Sequence, residues 1–594
     1  MLRPSRRVSA VPKFVRYALV LMPTVVFLVA AAVYLPPRWD DRPPPPSPPA
    51  ADTGRLVVVL VFDQMRGDFP ERWKGLFDGG GFARLERDGV WYANAHLPYS
   101  CSSTGPGHAS IGTGLPPAAH GIIENEWYDR RRQSTVLSIT PERPSPRVPT
   151  RSDGVTAGFA PDQLLADGLG DHLKQVRPDA RVFSLALKDR AAVLMGGKKS
   201  DGAYAFDTDV GLFHTAGRYR DAPHPWVSEF NKNERADRWF SKQWERLKPE
   251  GVYTAAVGPD DSPGEPRYDK DAKTGGLVGY GPAFPHPLNI DNQKVPGKRY
   301  YERLEASPFG NELLAELAIE CVRDEQLGSG GRTDLLFVGF SANDVIGHKW
   351  GPDSHEVLDC TLRSDRLIAA FANSLDKHVG AGRWTLIVTA DHGVCPMPER
   401  WAKERPDAER FDYREELTAD EMGRVLNEKF GRLGDDPTGW FADGGRSHYP
   451  HVYLNHANVE RHGVKVTDVA GALAKWAANR PHTEAAFTRA QMLGPPSGDP
   501  LTRRCQCGYH PDRGGDVYVV QRAYCLPMGV ASLGTSHGTP HPYDTHVPLF
   551  AVGAGVPRLG RQGEEVSSLL LGPIVCKALG IDPPAGVGKV PAGW

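Results

Sequence analysis

The sequence has no CxxC pair and no Cys/His spacing of the zinc-finger kind, so its eight cysteines in 594 residues do not make a disulfide scaffold or a zinc finger. Cys505 and Cys507 have one residue between them and Cys525 follows 18 residues later. In an oxidising compartment one local bridge among these three is open, its pairing unspecified. An excess of either charge is also lacking. Seventy Lys and Arg against 72 Asp and Glu leave a net charge of -2, which argues against a broad basic surface for nucleic acid. No P-loop and no G-x-G-x-x-G is present to suggest a nucleotide fold, and there is no internal repeat.

What is present is an ordinary globular composition, 40% hydrophobic and 24% charged, long enough for one large domain with insertions or several smaller ones. The N-terminus is an address. Residues 1–16 carry Arg3, Arg6, Arg7, Lys13 and Arg16 before any acid. Residues 17–35 are then 19 uncharged, mainly apolar positions. As a helix these span about 28 Å at 1.5 Å per residue, close to the ~30 Å bilayer core. Basic residues ahead of the span predict an N-terminus inside and the bulk of the chain on the periplasmic or extracellular side. Cleavage after Ala30, Ala31 or Ala32 is the rival expectation. Residues 36–54 contain PPPPSPP, a stiff polyproline spacer.

From residue 55 to 594 the pattern is α/β. Continuous apolar runs at 56–62 (LVVVLVF), 181–187, 334–340, 384–389 and 546–552 read as strands buried on both faces. Helical stretches at 161–176, 311–325 and 354–372 alternate with them. The expected fold is a mostly parallel sheet covered by helices on both faces, with cap insertions near 203–303 and 396–522. The strand ends carry the ionisable residues, and in such sheets ligands bind beyond the carboxyl ends of the strands.

Those strand ends supply Asp63, Asp344, His348, Asp391, His392 and His537. Asp344 and His348 are one helical turn apart and face the same way. Asp391 and His392 precede Gly393, where the chain can turn and let both converge. His541 and His546 compete with His537. Three carboxylates and three imidazoles suffice for two metal ions, and mixed nitrogen and oxygen donors suit zinc. In SSTGPGH (102–108), Gly-Pro-Gly forces a turn and sets Thr104 at a helix N-terminus, where a hydroxyl can cap the helix or attack phosphorus.

The blocks FDQMRGD, SSTGPGHASIGTG, NDVIGHKWGPDSHE, TADHG and SHGTPHPYD, in this order, resemble the alkaline phosphatase superfamily. The resemblance implies two zinc ions flanking a hydroxyl nucleophile. Asp63, Thr104, Asp391 and His392 would hold one zinc, and Asp344, His348 and His537 the other. Sulfatase chemistry is disfavoured, since Cys101 is not followed by the x-P-x-R context its nucleophile needs.

Lys188 and Arg190, in SLALKDRAAVLMGG, resemble the Lys-x-Arg of Thr-nucleophile bacterial alkaline phosphatases, the monoesterase branch. In an extended stretch both side chains could reach one side of a cleft, Arg190 gripping two phosphoryl oxygens. Asn125 would donate its amide to another. The resemblance therefore implies an exported phosphomonoesterase working through a phospho-Thr104 intermediate on small phosphate esters, expected as a monomer. A phosphodiesterase or nucleotide pyrophosphatase of the same superfamily is the alternative. An uncleaved anchor predicts that the chain pellets with membranes and is released by detergent but not by carbonate. A soluble chain beginning just after residue 32 would show cleavage instead.

Overall fold

The computed structural model describes residues 55–78, 80–150, 157–270, 277–290, 293–434, 436–528 and 532–594. The expected anchor at 17–35 and the spacer at 36–54 lie outside them, and among the described residues no helix is long and apolar enough to cross a membrane.

Eleven strands build the central sheet. They are β1 (Arg55–Phe62), β2 (Gly89–His96), β3 (Arg147–Val148), β4 (Val182–Ala186), β5 (Gly202–Asp207), β6 (Leu212–Ala216), β7 (Thr333–Phe340), β8 (Trp384–Thr389), β9 (His546–Gly553), β10 (Gly560–Gln562) and β11 (Val566–Ser567). The order is β10-β2-β9-β8-β1-β7-β4-β5-β6-β3, with β11 also beside β2. After Arg55 every residue of β1 is buried, which is why its sequence is unbroken Val, Leu and Phe. It pairs in parallel with β7 and β8, and β4 and β5 continue the parallel core. The run at 546–552 enters as β9, antiparallel to both β8 and β2, and β6 is antiparallel to β5. The sheet is thus mixed, parallel at its centre, antiparallel at β9, β6 and β3, and parallel again where β10 and β11 pair with β2.

Helices cover both faces: α1 (Thr104–Thr113), α2 (Leu169–Val176), α3 (Asp189–Gly196), α4 (Pro308–Asp324), α5 (Ala342–Trp350), α6 (His355–Leu375) and α7 (Leu571–Leu579). Val57, Val59 and Val61 share one core with Ala109 of α1, Leu173 of α2, Leu194 of α3 and Ile574 of α7. The alternate residues Leu56, Val58 and Leu60 face the opposite layer. There α4 packs on β4 and β7, and against α6.

Two local expectations need correcting. The helix expected at 161–176 forms only over Leu169–Val176, because Gly168 is its N-cap and the Asp171 carboxylate accepts the Gly168 N–H at 2.8 Å. The stretch 203–216, grouped with the first insertion, instead supplies β5 and β6 to the sheet. The second insertion is organised around its own three-stranded sheet, His451–Val452, Val517–Gln521 and Thr483–Thr488, over a core including Leu426, Trp440, Leu473 and Val519.

Two glycines of α1 set its place. A Cβ on Gly107 would lie 2.5 Å from the Asp391 carbonyl oxygen, and one on Gly112 2.4 Å from the Leu194 carbonyl oxygen. The helix that begins at Thr104 therefore touches both the end of β8 and the body of α3. Gly112→Ala must separate α1 from α3, and such overpacking typically costs about 1–3 kcal/mol. The expected result is a lower urea midpoint; an unchanged midpoint would show that the two helices part freely.

Candidate metal centre and nucleophile

The chain leaves β1, β7 and β8 at the same edge of the sheet, and each exit delivers ligand-type side chains. Asp63 follows β1 and is fully buried. Asp344 sits in the first turn of α5, and His348 one turn on brings its Nε2 to 3.2 Å from Asp344 Oδ1. Asp391 and His392 follow β8, both fully buried. The loop before β9 contributes His537, whose Nε2 lies 3.2 Å from His348 Nε2 and 3.5 Å from Asp344 Oδ1. His541 and His546 turn elsewhere, their Nε2 atoms within hydrogen-bond distance of the Gln521 and Ala93 carbonyls. His537 is the histidine that reaches the cluster.

The imidazole tautomers follow from their far sides. His348 Nδ1 lies 2.7 Å from the Thr535 carbonyl, His392 Nδ1 2.9 Å from that of Gly393, and His537 Nδ1 2.8 Å from that of Ser102. A carbonyl accepts only, so each Nδ1 carries a proton and each Nε2 faces the centre, as a lone pair when the ring is neutral and, in protonated His537, as an N–H towards Asp344. Asp63 Oδ1, Asp391 Oδ2 and His392 Nε2 are buried and make no hydrogen bond among the described residues. His392 Nε2 lies 3.5 Å from Asp63 Oδ1 and 3.3 Å from Asp391 Oδ2. Buried acceptors facing one another without a shared proton are costly, and a divalent cation would satisfy them. Ligand atoms lie within 4.8 Å of one another in three groups: Asp344, His348 and His537; Asp63, Asp344 and His392; and Asp63, His108 and Asp391. The donor set fits zinc.

His108 was not among the residues read from the sequence. One turn after Thr104, its Nδ1 lies 2.9 Å from the Thr104 carbonyl and 3.0 Å from Asp391 Oδ2. The four-residue spacing was the available signal. Gln64 was missed too. Held at φ 67°, it donates Nε2–H to Asp344 Oδ1 at 2.7 Å and its backbone N–H to Asp391 Oδ1 at 3.1 Å.

The electrostatics reflect three carboxylates in one buried space. Burial first, then Asp391, pushes Asp63 up to about 6. Burial also opposes the Asp344 carboxylate, yet His348 and Lys188 hold it well below the usual range. Burial alone would lower His537, but the hydrogen bond to Asp344 together with the Asp344 and Asp544 charges outweighs it and holds the ring at about 9. Burial and then the neighbouring His537 push His392 well below the ordinary imidazole range.

Thr104 is the first residue of α1 and nearly buried. It is not the helix cap. That position belongs to Ser103, whose hydroxyl caps nothing and donates to Glu124 Oε2 at 2.9 Å. Asn125 Oδ1 accepts the Gly105 N–H at 2.7 Å.

Lys188 and Arg190 depart from the expected extended geometry. Lys188 is the N-cap of α3 and Arg190 lies in its first turn. Lys188 Nζ donates to Asp63 Oδ2 at 2.9 Å and still more closely to Asp344 Oδ2, bridging the two carboxylates. Asp189 turns back and accepts the Arg190 N–H. Lys188, Asp189 and Arg190 line a cleft of about 420 Å³ with Arg147, Asp207 and Glu305.

Residues 57–484 match the family model described as type I phosphodiesterase / nucleotide pyrophosphatase. The chain belongs to this family. It is 30% identical over 543 residues to alkaline phosphatase PhoV of Synechococcus elongatus, covering 90% of this chain and 92% of PhoV. It is likewise 30% identical to alkaline phosphatase PafA of Elizabethkingia meningoseptica over 544 residues, covering 90% of this chain and 93% of PafA. The crystal structure of wild-type PafA superimposes with a TM-score of 0.79 at 29% identity, covering 91% of this chain and 98% of that one. Within the alkaline phosphatase superfamily the chain falls in the PafA/PhoV branch, and it is an enzyme of that kind, an alkaline phosphatase.

Since Asp63 is raised, its charge opposes folding once the pH exceeds the ordinary carboxyl value; the stability present below that value is lost as pH rises through about 6. Asp63→Asn is therefore expected to raise the melting temperature of chelator-treated protein at pH 8 by a few degrees, while lowering its metal content. A lower melting temperature in chelator would contradict this account of Asp63.

Proposed function

We propose that this alkaline phosphatase transfers the phosphoryl group of phosphate monoesters to Thr104 and then to water, at a centre holding two zinc ions. The observation that carries the reading is the set of buried acceptor atoms of Asp63, Asp391 and His392 that make no hydrogen bond among the described residues, with His348 and His537 beside them near the start of α1. Asp63, Thr104, Asp391 and His392 would hold one ion, and Asp344, His348 and His537 the other. Bound zinc would supply positive charge that lowers the pKa of a hydroxyl or water and stabilises a departing oxygen.

The chain's own residues then have distinct tasks. Thr104 Oγ1 attacks phosphorus, the ester oxygen leaves as an alcohol, and water later takes the phosphoryl group from Thr104 to give inorganic phosphate. The positive end of α1 favours the anion at this point. The Asn125 oxygen is fixed by the Gly105 N–H, and its Nδ2 makes no hydrogen bond among the described residues, which suits it to a phosphoryl oxygen. The Arg190 guanidinium also has no hydrogen-bonding or ionic partner among the described residues, so it can grip two phosphoryl oxygens of a dianion. Lys188, bonded to Asp63 and Asp344, adds charge beside them.

The test is a panel of aryl phosphate and methyl aryl phosphate diester with wild type, Arg190→Ala and Thr104→Ala. A charged hydrogen bond is worth roughly 10- to 150-fold. Arg190→Ala is expected to lose that much kcat/KM on the monoester and far less on the diester. Thr104→Ala should lose almost all turnover while keeping most of its metal. A wild-type enzyme that prefers the diester by orders of magnitude would establish phosphodiester hydrolysis instead.

A further inference from the structure

A serine at the N-cap ordinarily accepts a backbone N–H from the second or third helical residue. In α1 the third is Pro106, which has no N–H, so only Gly105 can be capped. Asn125 Oδ1 already takes that N–H at 2.7 Å. The Ser103 hydroxyl points away instead, donating to Glu124 Oε2 at 2.9 Å. Two consecutive residues, Glu124 and Asn125, therefore hold Ser103 and Gly105 on either side of Thr104. The Asn125 carbonyl in turn accepts the Ser138 N–H at 2.9 Å, which fixes the backbone of the pair.

We propose that Glu124 is a positioning residue for phosphoryl binding: by occupying the Ser103 hydroxyl it reserves the Gly105 N–H for Asn125, and so sets the direction of the Asn125 amide. Without the Glu124 carboxylate, the Ser103 oxygen turns to its ordinary partner, the Gly105 N–H, and displaces Asn125 from it. The amide then loses the one hydrogen bond that orients it, although Asn125 itself is unchanged. Ser103 becomes a competitor only when Glu124 is removed, so the effect is conditional on Ser103. This inference rests on Asn125 contacting the phosphoryl group, as proposed above.

The experiment compares kcat/KM on aryl phosphate for Asn125→Ala, Glu124→Ala, Glu124→Gln and Ser103→Ala, with Ser103→Ala/Glu124→Ala as the decisive variant. Glu124→Ala is expected to lose about tenfold, the scale of a single oriented hydrogen bond. Glu124→Gln keeps an oxygen acceptor for Ser103 and should stay within about threefold of wild type. The double variant, having no hydroxyl to compete, should recover to within about threefold of Ser103→Ala. Melting temperature and metal content are read in parallel, because loss of a merely structural contact would not be relieved by deleting a second side chain. A double variant as impaired as Glu124→Ala, or a Glu124→Gln as impaired as Glu124→Ala, overturns the inference. Undiminished activity in Asn125→Ala overturns the phosphoryl role of Asn125 itself.

Discussion

The constraint on which the rest of the site depends is a surplus of acceptors in a buried space. His348 and His537 aim Nε2 atoms at each other across 3.2 Å, and with both Nδ1–H groups spent on carbonyls these nitrogens can turn lone pairs to a cation once His537 gives up its second proton. Asp63 and Asp391 bring carboxylate oxygens that nothing hydrogen-bonds. A polypeptide gains nothing from such an arrangement unless cations complete it. Lys188 is a cation that the chain itself puts there, and it reaches Asp63 and Asp344 together. The sheet makes the surplus possible. Only strands buried on both faces, ending at one edge, can hold three carboxylates at that separation against their repulsion.

Thr104, the proposed nucleophile, is held by the same economy of contacts. Every residue from Ser102 to Gly105 has an assigned neighbour: Ser102 donates to the Thr539 carbonyl and receives His537 at its own, Ser103 reaches Glu124, and Gly105 reaches Asn125. Thr104 alone keeps its hydroxyl without a hydrogen bond among the described residues. Gly107 lets the helix lie against Asp391, so the start of α1 and the end of β8 cannot move independently.

The strand ends were legible in the sequence because burial on both faces leaves a continuous apolar run, and the first polar residue marks the exit. Asp63 and Asp391 were found that way, and Asp344 by its one-turn spacing from His348 beyond the third run. Choosing His537 over His541 and His546 needed the resemblance, and the structure gives the reason: the other two rings are engaged with backbone carbonyls. His108 offered only its four-residue spacing from Thr104, and Gln64 and Glu124 offered no signal. Their neighbours in space lie 283, 280 and 21 residues away, and no local periodicity encodes such pairings. The extended reading of Lys188 to Arg190 failed for a local reason, since Asp189 accepts the Arg190 N–H and starts a helix with only two residues between it and the end of β4.

That helix start also bears on which ester the site prefers. In the cleft beside Arg190 the other cations have carboxylate partners: Arg147 pairs with Asp207, and Lys188 with Asp63 and Asp344. At the rim Lys298 pairs with Asp209. Arg190 has none among the described residues, and its neighbour Asp189 is turned to the backbone. An incoming dianion can therefore pair with Arg190 without breaking an existing ion pair, and the second negative charge is the part a diester lacks. A cleft whose spare charge is a single guanidinium favours the substrate that uses both of its donor edges.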